Sequence, residues 1–351
     1  MKRKFFKDLL HLHKPTFNTV QLLGTIFCMT LILFVGYFLH NMSIASFGFL
    51  GVFILMYYEN IPLKNLLLRF IFVTLFILTS FLMGALTSLA SWTAPIAVGL
   101  VAFSGRVFFR LYDIKKPGVF FGVLVSSMAT NINVSVQQVP MLASYYLLGA
   151  MVAIIMAIII HFTEKESPMV IKEGKLYQRI HEDPNVFIDG IFYGTTLFFA
   201  VYLSYGLQLQ NPYWMVVSCA AILQGDNLRA VMQRNVQRIF GTIIGIGIAA
   251  LLLNTSLTTL QTIFLIVILF TTSQIAMRSN YALSAFFTTP MALLLSSLTK
   301  ELNVPTLLQY RFVGIALGSL LGAFSAWLIT TGLKFYNKSF DLHENFDKEP
   351  D

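Results

Sequence analysis

Apolar runs long enough to cross a bilayer recur from one end of this chain to the other, and nothing else in the sequence constrains its fold as tightly. Crossing roughly 30 Å of hydrocarbon takes about 20 helical residues. In lipid every backbone N–H and C=O must be satisfied inside the protein, which leaves helices and closed barrels. The runs lack period-two alternation, so a barrel is disfavoured and helices remain. Composition agrees: 56% of residues are hydrophobic and 11% charged, against about a quarter charged in an average soluble domain. Neither a soluble enzyme nor a disordered chain has this balance. The expected fold is therefore all-α, a polytopic helical membrane protein.

Candidate spans lie near 19–39, 43–58, 66–87, 92–109, 117–132 and 140–162, then near 186–205, 212–224, 239–253, 257–277, 281–299 and 306–333. Those at 43–58, 117–132, 212–224 and 239–253 are short for a full crossing, so ten to twelve crossings are expected. The chain divides into a basic N-terminal segment 1–18, a first membrane repeat 19–162, a polar linker 163–185, a second repeat 186–333 and a charged tail 334–351. The basic start resembles a signal peptide, but its apolar run is long and no small-residue cleavage site follows, so it reads as an uncleaved span. His11 and His13 on that basic segment read as a solvated or headgroup-facing pair rather than a zinc site.

The net charge of +8 does not point to nucleic acid, because the basic residues fall between apolar runs and act as topology signals. With the N-terminus inside, the outer loops near 40–43, 88–91, 133–139, 206–211, 254–256 and 300–305 hold only Lys300. The linker, the tails and the other loops carry the rest. Both termini are expected to be cytosolic. Cys28 and Cys219 lie inside apolar runs and read as small buried side chains, not a disulfide.

An internal repeat shows at a shift of about 165 to 170 residues. Gly24-Thr25 aligns with Gly194-Thr195, Asn41 with Asn211, Arg69 with Arg238 and Arg110 with Arg278. Ser126-Ser127-Met128 aligns with Ser296-Ser297-Leu298, and Tyr145 to Gly149 with Tyr310 to Gly314. An even number of crossings per half makes the two repeats parallel, about six segments each, around an axis along the membrane normal.

No catalytic constellation, cofactor motif or metal-spaced cluster is present in the sequence. The most informative stretch runs from Asn211-Pro212-Tyr213-Trp214 through Gln224-Gly225-Asp226-Asn227, Arg229, Arg234 and Arg238 to Gly241 and Gly245. On a helix, Arg234, Arg238, Gly241 and Gly245 share one face. Arginines there meet either an anionic solute or lipid phosphates, or simply snorkel. The first half repeats the order with Glu59-Asn60, Lys64 and Arg69. A symmetric pair of inner-gate salt bridges, from Glu59, Asn60, Asp226, Asn227 and Arg229, is the favoured reading over ordinary loop capping. Arg311 opens the last span beside Tyr310, with Gly314, Gly318 and Gly322 following, and either snorkels outward or faces the interior. Apart from Asp189, no acidic residue sits within a span, so a path built from Arg69, Arg234, Arg238 and Arg311 would favour an organic anion.

From Asn211-Pro212-Tyr213-Trp214 through Arg238 to Gly245, and again from Arg311 to Gly322, the chain resembles the fusaric-acid-resistance family of membrane proteins. That family includes aromatic-acid exporters and is distantly similar to plant malate channels. The first half matches in outline and lacks the Tyr-Trp pair. The resemblance implies export of aromatic or other organic carboxylates by a bacterial inner-membrane protein. The alternatives are a passive organic-anion channel and a membrane scaffold or lipid-binding protein of the envelope. Small organic anions and anionic lipids are the expected partners, a homo-oligomer is compatible, and no cofactor is expected.

Overall fold

The computed structural model describes residues 18–115, 117–132, 135–164, 176–183, 185–225, 227–298 and 303–346, without the side chains of Val136 and 333–346. Every regular element among them is helical. In the first half these are α1 (Thr19–Phe38), α2 (Met42–Val52, continued as a 3-10 turn Phe53–Tyr57), α3 (Leu63–Leu86), α4 (Ala94–Leu111), α5 (Phe120–Ala129) and α6 (Val139–Thr163). A short α7 (Leu176–Glu182) lies in the linker. The second half has α8 (Val186–Gly206), α9 (Tyr213–Ile222), α10 (Leu228–Leu253), α11 (Thr259–Ser279), α12 (Tyr281–Ser297) and α13 (Val304–Phe346).

Short polar residues start these helices where the apolar runs begin. The side chains of Asn18, Asn41, Asn227 and Asn280 accept from backbone N–H groups of the first turns of α1, α2, α10 and α12. Thr258 and Gln261 form a capping box on α11. Such caps satisfy donors that have no partner within the helix.

Among the described residues, eight helices are long and apolar enough to cross a membrane. The four shorter apolar ones are Met42–Tyr57, Phe120–Ala129, Tyr213–Ile222 and Tyr281–Ser297, the second and fifth segments of each half. The sequence expectation differed at three points. Hydropathy made 239–253 a short span, but α10 begins at Leu228, because a helix continues through Arg229, Arg234 and Arg238 once they have partners. The short member is instead α12, which contains Pro290. The last helix also runs past residue 333, to Phe346.

Neighbour relations recur between the halves. The pairs α2–α6, α3–α5, α3–α6, α1–α2 and α4–α5 have counterparts in α9–α13, α10–α12, α10–α13, α8–α9 and α11–α12. Between the halves, α4 packs along α8 and α1 along α11. The turn after α1 places His40 at φ 51°, and the turn after α8 places Gln208 at φ 52°. Two packed pairs are closed by glycine. A Cβ on Gly149 would collide with the Gly48 carbonyl between α2 and α6, and one on Gly318 with the Met215 carbonyl between α9 and α13. In lipid, where apolar surface gains little by meeting apolar surface, this close approach is a main source of helix association.

The largest core joins α1, α2, α3 and α6 and reaches across to α11 through Ile263, Ile266 and Phe270. A second cluster joins α4, α8 and α9. Large side chains such as Leu68, Ile71 and Leu75 on α3, or Met151, Ile155 and Ile159 on α6, remain exposed. Their three- and four-residue spacing makes lipid-facing stripes.

Candidate functional site

The second half gathers its arginines along α9, α10 and α13. Trp214 and Ser218 are one turn apart on α9, so they project to the same face. Gly314 and Gly318 let α13 lie directly on that helix, which brings Arg311 and Ser319 to the same groove. The Arg311 guanidinium carbon sits 5.0 Å from the Trp214 ring centre. Arg311 is only 8% exposed, and its Nε is buried without a hydrogen-bond partner. Among the described residues no carboxylate pairs with it.

One turn deeper on α9, Ser218 Oγ donates to the Ile315 carbonyl at 2.8 Å and lies 2.7 Å from Ser319 Oγ. Arg238 donates from Nε to Ser218 Oγ at 3.1 Å and from Nη1 to the Tyr281 hydroxyl at 2.8 Å. Arg234 lies a turn before Arg238 on α10, with its guanidinium carbon 5.3 Å from the Tyr281 ring centre and Nη1 3.3 Å from the Ala221 carbonyl. At 1.5 Å per residue, Arg238 is roughly 15 Å into α10, so it lies well inside the helix rather than at its mouth. A charged arginine at the centre of a bilayer-spanning helix costs about 2.5–3.5 kcal/mol on insertion scales. Aromatic faces and neutral hydroxyls offset part of that cost without cancelling the charge.

The first half treats its equivalent arginine differently. Arg69 donates from Nη1 to Glu59 Oε2 at 2.6 Å, with the two side chains 11% and 18% exposed. Lys115 Nζ lies 3.4 Å from the other Glu59 oxygen. Nearby, Glu164 accepts from Asn18 Nδ2 and, at 3.0 Å, from the Tyr58 hydroxyl. Burial, with that carboxylate beside it, pushes the Tyr58 phenol above its usual pKa. Tyr57 donates to the Gly118 carbonyl at 2.6 Å. These contacts gather the basic loops at one end of the bundle.

A charged seam joins the halves. Arg106 on α4 donates to Asp189 on α8 at 2.7 Å, and Arg110 reaches Asp189 at 2.9 Å and also pairs with Asp183. Arg106 is additionally 5.2 Å from the Tyr193 ring centre. Arg106 is held by this pairing because α4 and α8 approach closely at Gly99 and Gly194.

Of the residues singled out in the sequence, the structure brings together Arg234, Arg238, Arg311 and Trp214, with Tyr213 stacked edge-on to Trp214 at 5.5 Å. It joins Glu59 to Arg69, far from that group in the chain. Asn227 caps α10, while Asn60 and Arg229 are both engaged in interactions. Asp226, like His11 and His13, lies outside the described residues. Ser218, Ser319 and Tyr281 were missed. Their only signal was a hydroxyl in an apolar run, which is common in membrane helices.

A cavity of about 480 Å³ opens at the lysine-poor end, between the halves, lined by Tyr37, His40, Met42, Leu253, Thr255, Ser297 and neighbours. It contains none of the arginines.

Fold and charge pattern together define a polytopic helical membrane protein whose second half holds one buried arginine, Arg311, and part-buried Arg234 and Arg238. Residues 197–325 match the family model described as fusaric acid resistance protein-like, and both stretches that carried the resemblance, 211–245 and 311–322, lie inside it. The uncharacterized membrane protein YvaC of Bacillus subtilis (strain 168) is 28% identical over 145 residues, 41% of this chain and 23% of that protein. The chain thus spans under a quarter of that relative's length. No solved structure matches.

Proposed function

We propose that this protein carries organic anions across the membrane, with aromatic and other organic carboxylates as the exported class. The observation that carries the reading is buried Arg311 with part-buried Arg238 in the same groove; the two face aromatic rings and hydroxyls and have no carboxylate partner among the described residues. A fixed charge in a span is costly, and a transported anion would neutralise it transiently. Arg234 and Arg238 would draw the anion from the basic end, and Tyr213 and Trp214 would offer it aromatic surface. Glu59 with Arg69, and Asp226, Asn227 and Arg229 in the other half, would act as inner gates. The halves would be parallel repeats, in a bacterial inner membrane, with both termini cytosolic and anionic lipid at the basic end.

The test is uptake of 4-hydroxybenzoate into proteoliposomes. Arg238→Gln and Arg311→Gln should each lower flux at least tenfold while the protein still inserts and stays monodisperse. Unchanged flux in both would overturn the reading. A passive channel is the second reading, favoured because no acidic side chain among the described residues pairs with Arg234, Arg238 or Arg311 to carry protons. Single-channel current from purified protein in a planar bilayer would select it over a coupled carrier.

A further inference from the structure

We infer that Arg311 and Trp214 form a binding site for the carboxylate of one aromatic acid, a site that the first half does not possess. The inference rests on the reading that organic anions cross the second half and names where one is held.

Four observations support it. Arg311 is buried, and its guanidinium stacks on Trp214 at 5.0 Å, so one face of the group is occupied and its N–H edge is left to bind. That edge is unused, since Nε has no hydrogen-bond partner. An arginine edge matches a carboxylate with two parallel N–H···O bonds, a geometry a spherical anion cannot use. The surroundings are apolar, with Leu293, Leu307, Ala249 and Tyr213 packed around Trp214. Such walls suit the ring of an aromatic acid better than a hydrated inorganic ion.

Arg238, the nearest arginine in the groove, already donates to the neutral hydroxyls of Ser218 and Tyr281, so its N–H edge is partly used where that of Arg311 is open. The apolar walls disfavour a strongly hydrated sulfate or phosphate dianion. The repeat sets the number of sites. Tyr145 to Gly149 aligns with Tyr310 to Gly314, so Tyr146 occupies the place of Arg311 in the first half. Tyr146 is buried, uncharged in role, and donates to the Thr74 carbonyl at 3.3 Å. One site per chain follows.

Trp214 is itself the probe. Trp92 and Trp327 are 73% and 46% exposed and lie outside the site, so Trp92→Phe with Trp327→Phe leaves a single reporter. This protein, in nanodiscs of zwitterionic lipid, is titrated with sodium benzoate, benzamide and sodium sulfate while Trp214 emission is recorded. Benzoate should give a saturable change with one site per chain, and benzamide and sulfate should bind at least tenfold more weakly. Arg311→Gln should abolish the benzoate response, and Arg311→Lys, which keeps the charge but loses the two-pronged edge, should weaken it at least tenfold. An equal response to benzamide, or an unchanged benzoate affinity in either variant, overturns the site. If Arg311→Gln does not fold, Arg311→Lys decides alone. A response to nanodiscs of anionic lipid with none to benzoate assigns Arg311 to a headgroup phosphate and also overturns it. Benzoate binding without flux supports the site and refutes transport. Flux of 4-hydroxybenzoate without this binding signal refutes the site alone.

Discussion

Arg69 and Glu59 form a 2.6 Å ion pair in the first half, whereas Arg238, the counterpart of Arg69 in the second, meets only the hydroxyls of Ser218 and Tyr281 among the described residues. Two similar halves thus place an arginine on the same helix and give it different partners. One arginine is neutralised at its place, and the other keeps a net charge within the protein.

The first prediction concerns that pair. Glu59→Gln would leave Arg69 mostly buried without its carboxylate, and losing one partner of a buried pair costs about 3–5 kcal/mol. Thermal unfolding in detergent should show a clear drop in midpoint for Glu59→Gln. Adding Arg69→Gln should recover part of it. A double variant as unstable as the sum of the singles would show that the two residues do not interact.

The seam between the halves should matter less per residue. Arg106, Arg110, Asp183 and Asp189 are 27% to 39% exposed, and pairs that reach solvent contribute about 0–1 kcal/mol. Asp183→Asn should therefore change stability little. Asp189→Asn should cost more, because Asp189 serves both arginines. The midpoints of the two variants, measured side by side in low and high salt, check the order.

Packing of α9 on α13 should be intolerant of side chains at one position. At Gly318 a Cβ would collide with the Met215 carbonyl, so Gly318→Val forces the helices apart, and overpacking of this kind costs about 1–3 kcal/mol. Gly247 in α10 has open space around it. Gly247→Ala should be neutral or stabilising by up to about 1 kcal/mol. Equal losses in the two variants would remove the close approach as the cause.

Labelling tests both burial and orientation. Cys28 and Cys219 are fully buried and should resist a membrane-impermeant maleimide until the protein is unfolded. On a Cys28→Ala, Cys219→Ala background, Ser256→Cys should label from outside intact cells and Lys64→Cys only after lysis, since both positions are exposed, Ser256 in a loop without basic residues and Lys64 in the first turn of α3 near the basic loops. The reverse pattern would invert the topology.

The sequence by itself determined the class of this protein. Runs of apolar residues admit only helices in lipid, and their boundaries place most of the helices within a few residues. It also marked Arg238, Arg311 and Trp214, because an arginine in an apolar run and a Tyr-Trp pair before a glycine-rich span stand out locally. Tertiary structure alone decided what those residues meet. Hydropathy started the third span of the second half at residue 239, and only the contacts of Arg234 and Arg238 with Tyr281, Ser218 and Ala221 explain why α10 already begins at Leu228. The choice between an outward and an inward Arg311 was equally open, since glycine spacing gives a face but not the helix it meets. Close packing of α13 on α9 turned it inward onto Trp214. The same limit explains Arg106, whose partner Asp189 is 83 residues away in the chain. A charge's cost in a membrane depends on what surrounds it, and those neighbours come from other helices.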